Sequence, residues 1–136
     1  LEEVAEWQES REKNSSAQVL VGDLNIAPLP TDVWSHKQLL KVVSHTPVEI
    51  AALKKLQLAG SWADAVREII PPEEPLFTWW SYRSKDYKKN NRGRRLDHIW
   101  TTNALKTYIS AIDVFNATRG WEKPSDHVPI TITLAV

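Results

Sequence analysis

Apolar positions in the first half of the chain fall into runs and helical stripes. Val19, Leu20 and Val21 form an unbroken apolar run in AQVLVGD that ends at Gly22, the pattern of a strand buried on both faces. The following NIAPLPTD carries two prolines and predicts a loop, so Asp23 and Asn25 are expected where a buried strand breaks open. Upstream, Leu1, Val4, Ala5 and Trp7 recur among acids and polar residues, which predicts a helix over Leu1 to about Arg11. The strongest helical pattern is TPVEIAALKKLQLAG. There Thr46 suits the N-cap, Pro47 the first helical position, Glu49 the second half of a capping box and Gly60 the stop, with Ile50, Leu53 and Leu56 as the apolar stripe. A shorter helix is predicted through SWADAVREII, ended by Pro71 and Pro72. DVWSHKQLLKVV reads either as a helix or as a turn-rich segment.

From Phe77 onward the apolar period shortens to that of strands, in LFTWWSYR, RRLDHIWTT, ISAIDVFN and VPITITLAV. In the last of these, Ile130, Ile132 and Leu134 alternate with Thr131 and Thr133, giving one buried and one polar face, as in antiparallel sheets. Helices and strands thus intermix. The predicted fold class is an α/β (α+β) layered sandwich, a mixed, mostly antiparallel sheet with flanking helices, in one domain over residues 1–136.

Composition adds bounds. The 136 residues are 42% hydrophobic and 25% charged, enough for one core. No apolar run approaches the roughly 18 residues of a membrane span. LEEVAEWQES has neither a basic n-region nor an apolar h-region, so a cytoplasmic location and no membrane partner are expected. With no cysteine, disulfides and thiolate zinc sites are excluded, and any metal must take oxygen or imidazole ligands, which favours a hard cation. The chain has no methionine and starts within a charged amphipathic stretch, so it is expected to be a piece of a longer protein. Net charge is zero, yet Arg83 to Arg95 holds seven Lys or Arg and one acid, so the basic character is local.

The candidate chemistry gathers at strand ends. None of the four histidines has zinc-finger or metal-protease spacing, and His36 and His45 read as structural or surface residues. Two Asp-His pairs, Asp97-His98 and Asp126-His127, are more informative. Successive side chains on a strand point to opposite faces, so Asp97 does not easily orient its neighbour His98, but it can meet a histidine from elsewhere. If the loop at Ser125 to His127 lies over the end of the strand carrying Asp97, that carboxylate fixes the tautomer of His127. The other ring nitrogen is then left to act as a base or a phosphate donor. Asp126, pointing away, would be free for a cation, with Asp23 as a further carboxylate and Asn25 as an amide donor. Such a set suits metal-assisted hydrolysis of a phosphate ester. Taken singly, Asp23 and Asn25 could instead make an Asx turn, Asp126 cap a turn, and Asp97 pair with Arg95 or a lysine. In TWWSYRSKDYKKNNRGRRLDH, aromatic residues interleave with cations, which suits phosphate contacts plus stacking or, alternatively, a solvated loop over core tryptophans. Alternation puts Trp79 and Trp80 on opposite faces, so at most one lines a cleft.

Three separated motifs, GDLNIAP, WWSYRSKDYKKNNRGRRLDH and KPSDHVPI, occur in an order that closely resembles the exonuclease III family of apurinic/apyrimidinic endonucleases, within the endonuclease/exonuclease/phosphatase superfamily. The likeness runs from Val19 to Ile130. It implies about half of a four-layered α/β sandwich, and Mg²⁺- or Mn²⁺-dependent cleavage of double-stranded DNA at abasic sites, with trimming of 3′ ends. By the same resemblance Asp23 is the acid near the attacking water, and Asn25 holds the phosphate site. Asp97 orients His127, Asp126 is linked to the metal together with Asp23, and His127 contacts the phosphate or takes the water's proton. Trp79 matches an aromatic wall beside the flipped-out sugar, and Arg83, Lys85, Arg92 and Arg94 join it as candidate DNA contacts. Arg94 departs from the family pattern, where many relatives carry a bulky apolar or aromatic residue. The family's first half, with a glutamate ligand, a second asparagine and a tyrosine at the site, has no counterpart here. This chain therefore looks like the C-terminal half and is expected to be inactive alone, the missing N-terminal half being needed to complete the site. Two other readings stay open: a superfamily phosphoesterase acting on small phosphate esters, and a non-catalytic DNA-binding fragment.

Overall fold

The computed structural model describes Glu3, residues 16–84 and residues 86–136. The helix expected over Leu1 to about Arg11, Glu3 excepted, and Lys85 lie outside the described residues. In chain order the elements are β1 (Val19–Asp23), a 3-10 turn (Pro30–Asp32), α1 (His36–Leu39), α2 (Pro47–Ala59), β2 (Ala63–Asp64) and α3 (Ala65–Ile69). Then come α4 (Tyr87–Asn90), β3 (Asp97–Thr101), α5 (Asn103–Lys106), β4 (Ile109–Val114), a 3-10 turn (Asn116–Gly120) and β5 (Ile130–Leu134). One antiparallel sheet has the order β1-β3-β2 and the other is the antiparallel pair β4-β5, so the mixed α/β class and its antiparallel sheets are as expected.

α2 forms as its sequence dictates. The Thr46 hydroxyl accepts from the Glu49 N–H, the Glu49 carboxylate accepts from the Thr46 N–H, Pro47 opens the helix and Gly60 closes it. Such a cap is worth about 1 kcal/mol. Leu53 and Leu56 are buried against Ile26, Trp62 and Trp100, each contributing about 1.5–3 kcal/mol. α3 lies between the two sheets, where Ala65 and Val66 pack with Leu76 and Ile99 and with the half-buried Ile109, Ile112, Val114, Ile130 and Ile132. DVWSHKQLLKVV turns out turn-rich, with one short helix.

Within SWADAVREII only Ala65–Ile69 is helical, and Ala63–Asp64 forms β2. Two further expectations change. LFTWWSYR forms no strand; it makes only single-residue bridges from Trp79, to Arg94 on one side and His127 on the other. The segment is a strap whose backbone is shared between two neighbours, which prevents a continuous ladder with either. The second concerns β1, where Leu20 packs on the core but Val19 and Val21 are 45% and 66% exposed. Alternation sends those two valines to the face that carries Ile99 and Thr101, which the described residues cover over β3 but leave open along β1.

Beneath the strap lies a buried ionic cluster that sequence periodicity does not show. Arg95, wholly buried just before β3, donates from Nε to Asp32 Oδ1 at 2.8 Å, from Nη2 to Asp32 Oδ2 at 2.9 Å and from Nη1 to Asp64 Oδ2 at 2.8 Å. Arg67 of α3 adds a bond to Asp32 Oδ1 at 2.6 Å. Burial pulls the Arg95 pKa down, but the charges and hydrogen bonds of Asp64 and Asp32 outweigh it and hold the value above the ordinary arginine range. Two cations and two carboxylates balance, so no net charge is buried.

Candidate active site

The antiparallel register of β1 and β3 sets Asp23 opposite Asp97. Directly opposed residues share one face of the sheet, and like charges there repel. A cationic group between them relieves that repulsion, and His127 supplies one. Its Nδ1 lies 2.8 Å from Asp97 Oδ2, and its Nε2 lies 3.6 Å from Asp23 Oδ2. The first is a hydrogen bond in which Nδ1–H donates to the carboxylate; the second is too long for one. Asp97 therefore sets the tautomer of His127 from another element, while its neighbour His98 points into the core and its Nε2 donates to the Ile26 carbonyl at 2.7 Å.

Partial burial lowers the His127 pKa, but the hydrogen bond and charge of Asp97, with the charges of Asp23 and Asp126, outweigh it and raise the value above 6.5. A raised folded pKa means that protonation stabilises the fold. The contribution is full below the unfolded value and is lost as pH rises through the folded one. The stability advantage of the native chain over His127→Gln is expected to be largest in acid and to shrink toward alkaline pH. Urea titrations of the two proteins across that range check this, and a flat difference would detach His127 from its carboxylates.

Asp23 Oδ1 accepts from the Asn25 N–H at 2.9 Å, and Asn25 adopts the left-handed region with φ 55°. The Asx turn left open by the sequence is thus present, and it holds Asp23 at the strand end with the exposed Asn25 beyond it. Asp126 Oδ2 accepts from the Trp79 indole N–H at 3.0 Å. Trp79 is half-buried beside the site, whereas Trp80 is buried against Phe77 and Val128, as alternation predicted.

Asp23, Asp97 and His127 each offer a ligand atom, all within 4.8 Å of one another, a grouping able to hold a divalent cation. Asp126 is outside that group. Carboxylate oxygens suit a hard ion such as Mg²⁺ or Mn²⁺, so the donor chemistry at Asp23 fits. The Asp97 Oδ2 and His127 Nδ1 atoms are already paired with each other, which leaves Asp23 as the principal carboxylate of the group.

The basic segment is placed in part. The Arg94 guanidinium lies 5.3 Å from the Trp79 ring centroid and donates from Nη1 to the Val43 carbonyl and the Ser44 hydroxyl, each at 3.0 Å. Arg92 lies over Trp34 at 4.7 Å, and Arg83 is exposed. The loop after Asn25 is held by residues with no motif signal. His45, fully buried, donates from Nδ1 to the Ala27 carbonyl at 2.6 Å, and its Nε2 then accepts from His36 Nδ1 at 2.7 Å. With His98 on Ile26, consecutive carbonyls beyond Asn25 are pinned. A histidine among polar neighbours carries no periodic cue, so these roles were not visible in sequence.

Residues 1–127 match the model of the Endonuclease/Exonuclease/phosphatase family. The chain belongs to that family. Among curated relatives, exodeoxyribonuclease III of Haemophilus influenzae is 31% identical over 134 residues, 94% of this chain and 49% of its own length. The DNA repair nuclease APEX1 of Danio rerio is 36% identical over 118 residues, 87% of this chain and 36% of its own. Among solved structures, an AP endonuclease from Archaeoglobus fulgidus superposes with a TM-score of 0.93 at 31% identity, covering 99% of this chain and 52% of that one. A 3′-5′ exonuclease from Neisseria meningitidis gives 0.86 at 29% identity, covering 96% and 50%. The chain thus spans between about a third and a half of the length of these relatives. These family members are enzymes, which accords with a carboxylate-histidine site at the strand ends.

Proposed function

We propose that this chain carries the histidine side of the active site of a divalent-cation-dependent nuclease that hydrolyses phosphodiester bonds in double-stranded DNA, at abasic sites and 3′ ends. The observation that carries this reading is the Asp97-His127 hydrogen bond facing Asp23 across β1 and β3. DNA as substrate is supported by the cations and aromatic residues beside that site, Trp79 with Arg94 and Trp34 with Arg92, and by the nuclease names of the relatives.

Asp97 holds the His127 Nδ1–H, so the opposite nitrogen faces the substrate. A pKa above 6.5 keeps more of the ring protonated near neutrality, which favours Nε2–H as donor to a phosphate oxygen. Asp23 is then the acid that accepts the proton of the attacking water. Asn25, beside it, donates to the phosphate. Trp79, held by Asp126, walls the sugar, and Arg83, Lys85, Arg92 and Arg94 meet the backbone. Mg²⁺ or Mn²⁺ held through Asp23, with the remaining oxygen of Asp126, would neutralise charge gathering on the phosphate.

The test is incision of an abasic duplex by the protein as its gene encodes it, with and without Mg²⁺, beside the isolated 136-residue chain. Incision that chelator abolishes is expected from the former and little or none from the latter. Small phosphate esters should be turned over far more slowly. Equal turnover of esters and DNA would move the protein to the small-phosphoesterase branch, and robust incision by the isolated chain would show that nothing further is needed to complete the site.

A further inference from the structure

Asp97 and His127 sit on segments that make no backbone hydrogen bond to each other among the described residues, yet their side chains meet at 2.8 Å. Between them runs the strap at residues 78–80, and its first residue, Thr78, is completely buried. The Thr78 N–H donates to the Arg94 carbonyl at 2.9 Å, and the Thr78 carbonyl accepts from the Val128 N–H at 2.8 Å. Its hydroxyl oxygen accepts from two successive backbone donors, the Leu96 N–H at 3.1 Å and the Asp97 N–H at 3.2 Å. One side chain thus occupies both lone pairs of its hydroxyl at the start of β3, while its main chain clasps the residue after His127.

We propose that Thr78 is a positioning residue for the catalytic pair, setting the distance between the Asp97 carboxylate and the His127 ring. On its other edge this end of β3 is held by β1, through the Leu24 N–H to the Leu96 carbonyl at 3.0 Å and the Asp23-Asp97 pairing. Alongside the Trp79 bridges, Thr78 joins that edge to the His127 segment, and its hydroxyl bonds directly to the Leu96 and Asp97 N–H groups. Neither alternation nor motif spacing marks it, because threonine in a strand-like segment is ordinary. Valine has the same shape but would put a methyl where the two nitrogens lie at 3.1 and 3.2 Å, closer than the roughly 3.5 Å that a carbon contact requires. The Leu96-Asp97 backbone must then retreat by tenths of an ångström and lose both hydrogen bonds. A displacement of about 1 Å at reacting groups can cost 10²-fold, so a part of that shift predicts a loss of about tenfold.

The proposal rests on the nuclease reading for its kinetic arm only. In the protein as its gene encodes it, Thr78→Val and Thr78→Ser are compared by incision kinetics, thermal unfolding and the low-field NMR resonance of the His127 Nδ1–H. Thr78→Val is expected to lower kcat about tenfold with KM little changed, and to broaden or shift that resonance upfield. Thr78→Ser, which keeps the hydroxyl, restores both. Thr78→Cys, similar in size with only a weak acceptor, replaces valine should the latter not fold, and is expected to behave like it. An unchanged resonance and kcat in the hydroxyl-free variant would overturn the proposal, as would equal losses in Thr78→Ser. If the native protein cuts no DNA, the nuclease reading fails alone and the NMR comparison still decides the role of Thr78.

Discussion

In the protein as its gene encodes it, His127→Ala is expected to lower the kcat for the proposed DNA incision by about 10²–10⁴-fold while leaving the fold in place. The ring sits on the surface side of the sheet, with its side chain 32% exposed, so its removal empties no core cavity. What disappears is the group held by Asp97 and aimed toward Asp23. If Nε2–H donates to the phosphate mainly as charge develops, the loss falls on kcat with KM little altered. Asp97→Asn should reproduce much of it, because an amide can donate to Nδ1 and so reverse the tautomer. Single-turnover incision of an abasic duplex, with circular dichroism and thermal unfolding as controls, measures both effects. A fall of less than about tenfold in His127→Ala would remove the ring from general acid-base or donor chemistry, whose typical contribution is larger.

The second large effect is on stability. Asp32→Ala is expected to cost about 3–5 kcal/mol, because Asp32 and Arg95 are both fully buried and the substitution leaves Arg95 with Asp64 alone and Arg67 without its carboxylate. Native domains are stable by only about 5–15 kcal/mol, so the variant should stand near the edge of folding. Removing both charges is gentler. Asp32→Leu combined with Arg95→Met should recover part of the loss, because it also removes the fully buried Arg95 charge, while Arg67 still lacks its carboxylate and Asp64 loses its partner. Urea unfolding of the three proteins gives the comparison. A cost below about 1 kcal/mol for Asp32→Ala would place the cluster in contact with water, since exposed pairs are worth no more than that. The cluster links the loop after Asn25, helix α3 and the approach to β3, so its loss should also slacken the Asp23-Asp97 pairing.

Much of this architecture was legible where the cause is local. Thr46, Pro47, Glu49 and Gly60 specify the ends of α2 through groups within a few residues of one another, and the structure has them in those roles. Alternation in ITITL marks one sheet face, and alternation separates Trp79 at the site from Trp80 in the core. The same rule, applied to Asp97 and His98, sent them to opposite sides and left Asp97 in need of a distant histidine, which His127 proved to be. The order of the three motifs is itself enough to mark the family.

Other features depended on which segments become neighbours, and no local pattern encodes that. The apolar run Val19-Leu20-Val21 predicted two covered faces, but burial belongs to the surroundings, and here only the Leu20 side is packed. LFTWWSYR has strand composition, yet its backbone divides its hydrogen bonds between the Arg94 and His127 segments and becomes a strap. Asp126 could serve a metal or an indole, and the placement of Trp79 took one of its oxygens. Sequence by itself determined the ends of α2, the alternating face of β5, the family and the residue types at the site, because helix caps, alternation and turns act over a few residues. Tertiary structure alone decided that Asp23 faces Asp97, that Arg95 is neutralised by Asp32 and Asp64, and that Thr78 ties the site together. Those facts are cross-strand distances, set by register and packing between parts of the chain many residues apart.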